Sequence, residues 1–144
     1  MDIQVKLVDT TLPLPRYQTD GAAALDLYSR IDMDIPSKEM SIIPLNVVVA
    51  IPSGHVGLLF SRSSLPAKKG LMVANSVGII DSDFCGDTDE IGLAVYNFTD
   101  SVSSVEKGER LAQFLVVPID RVTIAQVGKM GTKSRGGFGT TGQK

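Results

Sequence analysis

Ser61-Arg62-Ser63-Ser64 sets three hydroxyls around one guanidinium, a group of donors that suits phosphate oxygens. A short helical turn through Leu65-Pro66-Ala67-Lys68 would follow, with Pro66 tolerated in its first turn. An anion there would meet a helix N-terminus, hydroxyls and positive charge together. The same run reads equally as a helix cap beside a surface arginine. In Asp81-Ser82-Asp83-Phe84 two acids and a ring follow the apolar run Val77-Gly78-Ile79-Ile80. A carboxylate so placed can accept a proton from water, although acids in turns also serve conformation alone. Asp26 stands among small and apolar residues, and Gln113 among apolar ones after Lys107-Gly108-Glu109-Arg110. Alone, the first reads as a turn-making acid and the second as a glutamine satisfying backbone groups. Near the C-terminus, Arg135-Gly136-Gly137-Phe138-Gly139-Thr140-Thr141-Gly142 combines a guanidinium, glycine N–H groups and hydroxyls, which suit phosphate, with one ring. No strand–turn–helix context surrounds it, so it matches neither a Walker loop nor a dinucleotide fingerprint.

The elements that must hold these groups read as short strands. Residues 3–8 alternate at period two. Residues 41–51, 56–60, 91–98, 112–117 and 122–127 are mostly β-branched or aromatic, with Gly and Pro turns between them. Gly86 allows a tight return from residues 75–86 into residues 91–95, which predicts a β-hairpin whose turn carries Asp81, Asp83 and Phe84. The expectation is one all-β domain over residues 1–127. Alternation stops at Gly128, so residues 128–144 are expected to form a flexible arm.

Composition narrows the chemistry. The chain's 144 residues suffice for one domain with a real core. A formal net charge of -2 gives no sequence-wide basic footprint, which argues against nucleic acid and anionic membranes as partners. No 18-residue apolar run or signal-peptide pattern is present, so a soluble cytoplasmic protein is the simplest reading. The single Cys85 agrees with a reducing compartment. With one cysteine and one histidine (His55), a Cys/His zinc site within one subunit is excluded, and a metal should be a hard cation held by oxygen.

Taken in order, the five clusters resemble the five motifs of the trimeric dUTPase family, from about Gly21 to Gly142. The resemblance implies a distorted, jelly-roll-like β-barrel that forms a homotrimer, each active site drawing on all three subunits. It implies hydrolysis of dUTP to dUMP and pyrophosphate with Mg²⁺, which limits uracil in DNA and supplies dUMP for thymidylate synthesis. Asp81 matches the carboxylate that activates the attacking water, and Asp26 the acid that helps hold Mg²⁺ through waters. Arg62, Ser63, Ser64 and Gln113 match phosphate contacts. Residues 75–84, with Asn75, Gly78 and Ile80, resemble the backbone slot for uracil, and Phe84 the ring beneath the deoxyribose. Arg135 matches the γ-phosphate arginine and Phe138 the ring stacked on uracil, with Gly139, Thr140 and Thr141 beside it.

The chain departs from the family pattern in four places. Phe84 stands where tyrosine is usual, and Ala24 where glycine is usual. Extra residues fall around Asp87-Thr88-Asp89-Glu90, and the Arg135-to-Phe138 spacing is short. A dCTP deaminase on the same barrel would need a further glutamate on the strand Gly92-Leu93-Ala94-Val95-Tyr96, which carries no acid. A non-catalytic relative would not need Asp26, Asp81, Gln113, Arg135 and Phe138 together.

Overall fold

The computed structural model describes residues 1–137. Antiparallel pairing builds every sheet, as expected for short β-branched runs joined by turns. The largest sheet orders β2 (Leu25–Tyr28), β11 (Arg110–Pro118), β6 (His55–Ser61) and β8 (Gly78–Ile80). A second joins β4 (Met40–Pro44), β9 (Gly92–Asn97) and β7 (Leu71–Val73). Two pairs complete the wrap: β1 (Gln4–Leu7) with β5 (Val47–Ala50), and β3 (Met33–Ile35) with β10 (Ser103–Val105). The sheets surround one core that includes Leu27, Ile43, Val47, Leu59, Leu93 and Phe114. Each such side chain contributes about 1.5–3 kcal/mol by leaving water. The fold is all-β and jelly-roll-like, although the described sheets do not join into one closed barrel.

Four local expectations are corrected. Residues 41–51 are two strands, because Asn46 adopts a φ of 68° and turns the chain between them. Its side chain holds that corner, accepting from Asp9 N at 2.6 Å and donating to Asp9 O at 3.0 Å. The hairpin predicted across residues 81–91 does not form: β8 pairs with β6 while β9 pairs with β4 and β7. That loop instead carries the chain from one sheet to another. Residues 122–127 are not a strand, for no edge of the described chain accepts them, and Val122 and Ile124 stay 80% and 89% exposed. The sheet structure therefore ends at Pro118 rather than near residue 127.

The fourth concerns the cap of the short helix, α1 (Leu65–Lys69), which forms where expected. Ser64 is its N-cap residue, as a cap in that run would be, but its side chain makes no cap hydrogen bond. Gly70 ends α1 in the left-handed region at φ 62°, its N–H donating to Pro66 O at 2.9 Å.

Candidate active site

The site is assembled from strand register. Asp26 on β2 faces Gln113 on β11, and Gln113 faces Phe60 near the end of β6. Arg62 lies just past that end, tied by its N–H to Leu111 O at 2.9 Å. Asp26 is only 2% exposed, and its carboxylate gathers three donors. Arg62 Nε lies 3.3 Å and Arg110 Nη1 3.2 Å from Oδ2, while Gln113 Nε2 lies 3.4 Å from Oδ1. A carboxylate this dry needs such partners, since burying it unpaired would be far more costly than the pairs themselves return. Asp26 thus sits inside a strand, not at a turn, and acts first as the counter-ion that fixes two guanidinium groups.

Those guanidiniums border a cavity of about 210 Å³ whose other charged linings are Lys68, Lys69 and Glu109. Lys69 is matched to Glu109 at 2.9 Å. Ser64 also lines the cavity, and Ser63 is exposed beside it. The arrangement can neutralise and orient an anion with planar and point-like donors together. Arg110, Lys68 and Glu109 were not singled out in the sequence, since charges at a turn and on a helix end look like ordinary solvated ones.

Asp81 lies elsewhere. Ile80 pairs with Gly57, so Asp81 follows β8 toward the opposite end of β6 from Arg62. Continuing the register to Val56 separates the two positions by six residues, about 20 Å at about 3.3 Å each. Phe84 N donates to Asp81 O at 3.2 Å, closing a turn that leaves Asp81, Asp83 and Phe84 exposed. Beside it, His55, Asp83 and Arg121 share with Asp81 a second cavity of about 280 Å³. Gly78 is buried against Leu59, where a Cβ would approach the Leu59 Cβ to 2.9 Å. Asn75 is exposed and Ile80 half-buried on the same segment.

The extra acidic residues pin this loop to the body. Glu90 takes a bidentate pair from Arg30 at 2.8 and 3.0 Å and accepts Asn46 N at 2.8 Å. That hydrogen-bonded pairing pushes the Arg30 guanidinium above its ordinary range. Lys6 reaches Asp87 at 2.9 Å and holds its carboxyl below the ordinary range, and Asp89 accepts Gly86 N at 2.7 Å. The pairing of Glu90 with Arg30 was not legible in the sequence, because it joins positions sixty residues apart.

One chain therefore brings Asp26, Arg62, Ser64 and Gln113 together and leaves Asp81, with the turn it opens toward Phe84, at the other end of β6. Arg135 is exposed within the arm. Phe138, Gly139, Thr140 and Thr141 lie outside the described residues. An all-β domain with an arginine-lined anion cavity and a distant exposed carboxylate is the type of protein that this architecture defines.

Comparison with known proteins narrows that type. A sequence model of the dUTPase family matches residues 10–142. The deoxyuridine 5'-triphosphate nucleotidohydrolase of Dictyoglomus turgidum is 39% identical over 97% of both chains. Among solved structures, the dUTPase of Staphylococcus bacteriophage 80alpha with dUPNHPP is similar at a TM-score of 0.86 and 29% identity, covering 99% of each chain. A mutant dUTPase from phage phi11 of S. aureus, whose structure concerns the coordination of a structural Mg(II) ion, has a TM-score of 0.78 at 25% identity, covering 90% of this chain and 99% of its own. The chain belongs to the dUTPase family, hydrolases that convert dUTP to dUMP.

Proposed function

We propose that the chain hydrolyses dUTP as a homotrimer, with the phosphate-binding half of each site on one subunit and Asp81 on another. The separation of Asp81 from Asp26, Arg62 and Gln113 carries this reading. Groups about 20 Å apart cannot act on one phosphorus atom, whereas copies in rotational symmetry bring unlike patches together. The exposed apolar side chains of Val122, Ile124 and Val127 support it, since they suit a neighbouring subunit better than water.

In the proposed mechanism Arg62, Ser63, Ser64 and Gln113 bind and align the triphosphate. Asn75, Gly78 and Ile80 offer a slot to uracil, and Phe84 packs against the deoxyribose, leaving no room for a 2′-hydroxyl. The Asp81 carboxylate takes the proton from a water whose oxygen bonds to the α-phosphorus. The α–β bridging bond breaks, and pyrophosphate leaves. Arg135 binds the γ-phosphate while Phe138, Gly139, Thr140 and Thr141 close over the base, so residues 128–144 serve as a lid. Positioning and charge neutralisation account for most of the rate in such chemistry.

Among the described residues no three acidic, His or Cys side chains gather to hold a metal, and Asp26 is already paired with two arginines. This donor set fits Mg²⁺ carried on the substrate's phosphates, with Asp26 reaching it through water, because that ion keeps several waters and needs few protein ligands. When bound it would neutralise phosphate charge. The single exposed Cys85 suits a reducing cytoplasm. No helix among the described residues is long and apolar enough to cross a membrane. The proposed outcome is limitation of uracil in DNA and supply of dUMP for thymidylate synthesis.

Turnover in heavy-oxygen water tests the reaction, with dUTP, dCTP, dTTP and UTP supplied in turn with Mg²⁺. Label in dUMP, from dUTP alone, supports attack at the α-phosphorus. Label in pyrophosphate, or equal turnover of dCTP, contradicts it.

A further inference from the structure

The cavity beside Asp26 holds more positive charge than its acids match. Arg62 and Arg110 share Asp26, and Lys69 is paired with Glu109. Lys68 lines the same cavity and has no carboxylate or side-chain hydrogen-bond partner among the described residues. Its position is fixed by backbone, because Lys68 N donates to Ser64 O at 2.9 Å and Gly70 closes the helix two residues on. The side chain is thereby kept on the face of α1 that carries Ser64 into the cavity. Lys69, its neighbour in sequence, lines the cavity too, but its ammonium is engaged by Glu109 and by donation to Ser104 O at 2.9 Å.

We propose that Lys68 is a further binding residue, contacting the distal phosphates of a polyphosphate that enters this cavity. The proposal rests on the dUTP reading for the identity of the substrate, but only on the cavity for the chemistry. Arg62 and Arg110 are already half-neutralised, so an arriving polyanion gains little net attraction from them until a further cation joins. Lys68 supplies it without breaking an existing pair. Contact with the distal phosphates alone would make the ammonium discriminate by phosphate number. A triphosphate reaches it and a monophosphate does not.

The test compares wild type with Lys68→Gln and Lys68→Arg. Lys68→Gln should raise KM for dUTP by about tenfold, the usual worth of one charge-assisted contact, with a smaller change in kcat. Inhibition by inorganic tripolyphosphate should weaken by a similar factor, inhibition by dUMP should not change, and Lys68→Arg should restore both. Unchanged KM and tripolyphosphate inhibition in Lys68→Gln would overturn the proposal, and so would an equal loss of dUMP inhibition. Calorimetric titration of tripolyphosphate into wild type and Lys68→Gln stands apart from turnover. If dUTP proves not to be the substrate, weaker tripolyphosphate binding still supports the cation's role, and equal binding refutes it.

Discussion

Arg62 Nε lies 3.3 Å from Asp26 Oδ2, joining the end of β6 to the middle of β2 across the intervening strand β11. Arg110 shares the same oxygen at 3.2 Å, so one buried acid sets the spacing of two guanidiniums. Removing that acid leaves the two cations facing each other. Asp26→Ala is therefore expected to destabilise the fold by about 1–3 kcal/mol, the usual cost of orphaning such donors. Thermal unfolding checks the first effect. A rise in KM for dUTP larger than the loss of kcat checks the second, the misplacement of phosphate ligands.

Asp81 makes no ion pair among the described residues and is exposed, so nothing in the fold depends on its charge. Asp81→Asn should keep the melting temperature and dUTP binding while lowering kcat by roughly 10²–10⁴-fold, the contribution of a positioned base. Near-normal turnover would remove Asp81 from the mechanism.

Glu90 is the anchor of the loop that bears Phe84. Glu90→Gln loses the charge of a bidentate pair with Arg30, and Glu90→Ala also orphans Asn46 N. The alanine variant is expected to cost about 1–3 kcal/mol and the glutamine variant less, read by denaturant unfolding. Equal stability of both with wild type would show that the acidic residues carry no structural weight.

Stability should also respond to acid through Asp9. The Lys107 ammonium 2.6 Å away, then Thr11, hold its carboxyl well below the ordinary carboxylate range. A depressed value in the folded state means stability that is full above the unfolded value of about 3.9 and lost as pH falls through the folded one. Asp9→Asn should therefore lower the melting temperature at pH 7 and flatten its decline below about pH 4. A decline parallel to wild type would contradict this.

Deleting residues 135–144 should leave the sheets intact, because residues 128–136 are exposed. Turnover should nonetheless fall steeply. A truncated protein with full activity would exclude a lid function for the arm.

How much of this was legible in sequence depended on the range of the interaction. Period-two alternation located β1, β-branched and aromatic runs between Gly and Pro turns located β6, β9 and β11, and the clusters holding Asp26, Arg62 and Gln113 were visible as chemistry before any geometry. Pairing partners were not. Residues 78–80 and 92–97 look like two arms of a hairpin, yet β8 pairs with β6 while β4 and β7 occupy both edges of β9. Residues 122–127 have strand character but pair with no strand among the described residues. Arg110 was hidden by a register shift between Arg110 and Ala112, which buries both Leu111 and Ala112 and turns Arg110 to the Gln113 side. Alternation alone would put Arg110 on the opposite face.

The central claim is that Arg62 and Asp81 serve one site from different subunits. Arg62→Ala and Asp81→Asn proteins, each nearly inactive alone, can be unfolded together, refolded as mixed oligomers and assayed for dUTP hydrolysis. Random mixing in equal amounts should restore about a quarter of wild-type turnover, the share of sites that combine an intact half from each chain. Mixed oligomers no more active than the separate variants would mean that both residues act within one chain.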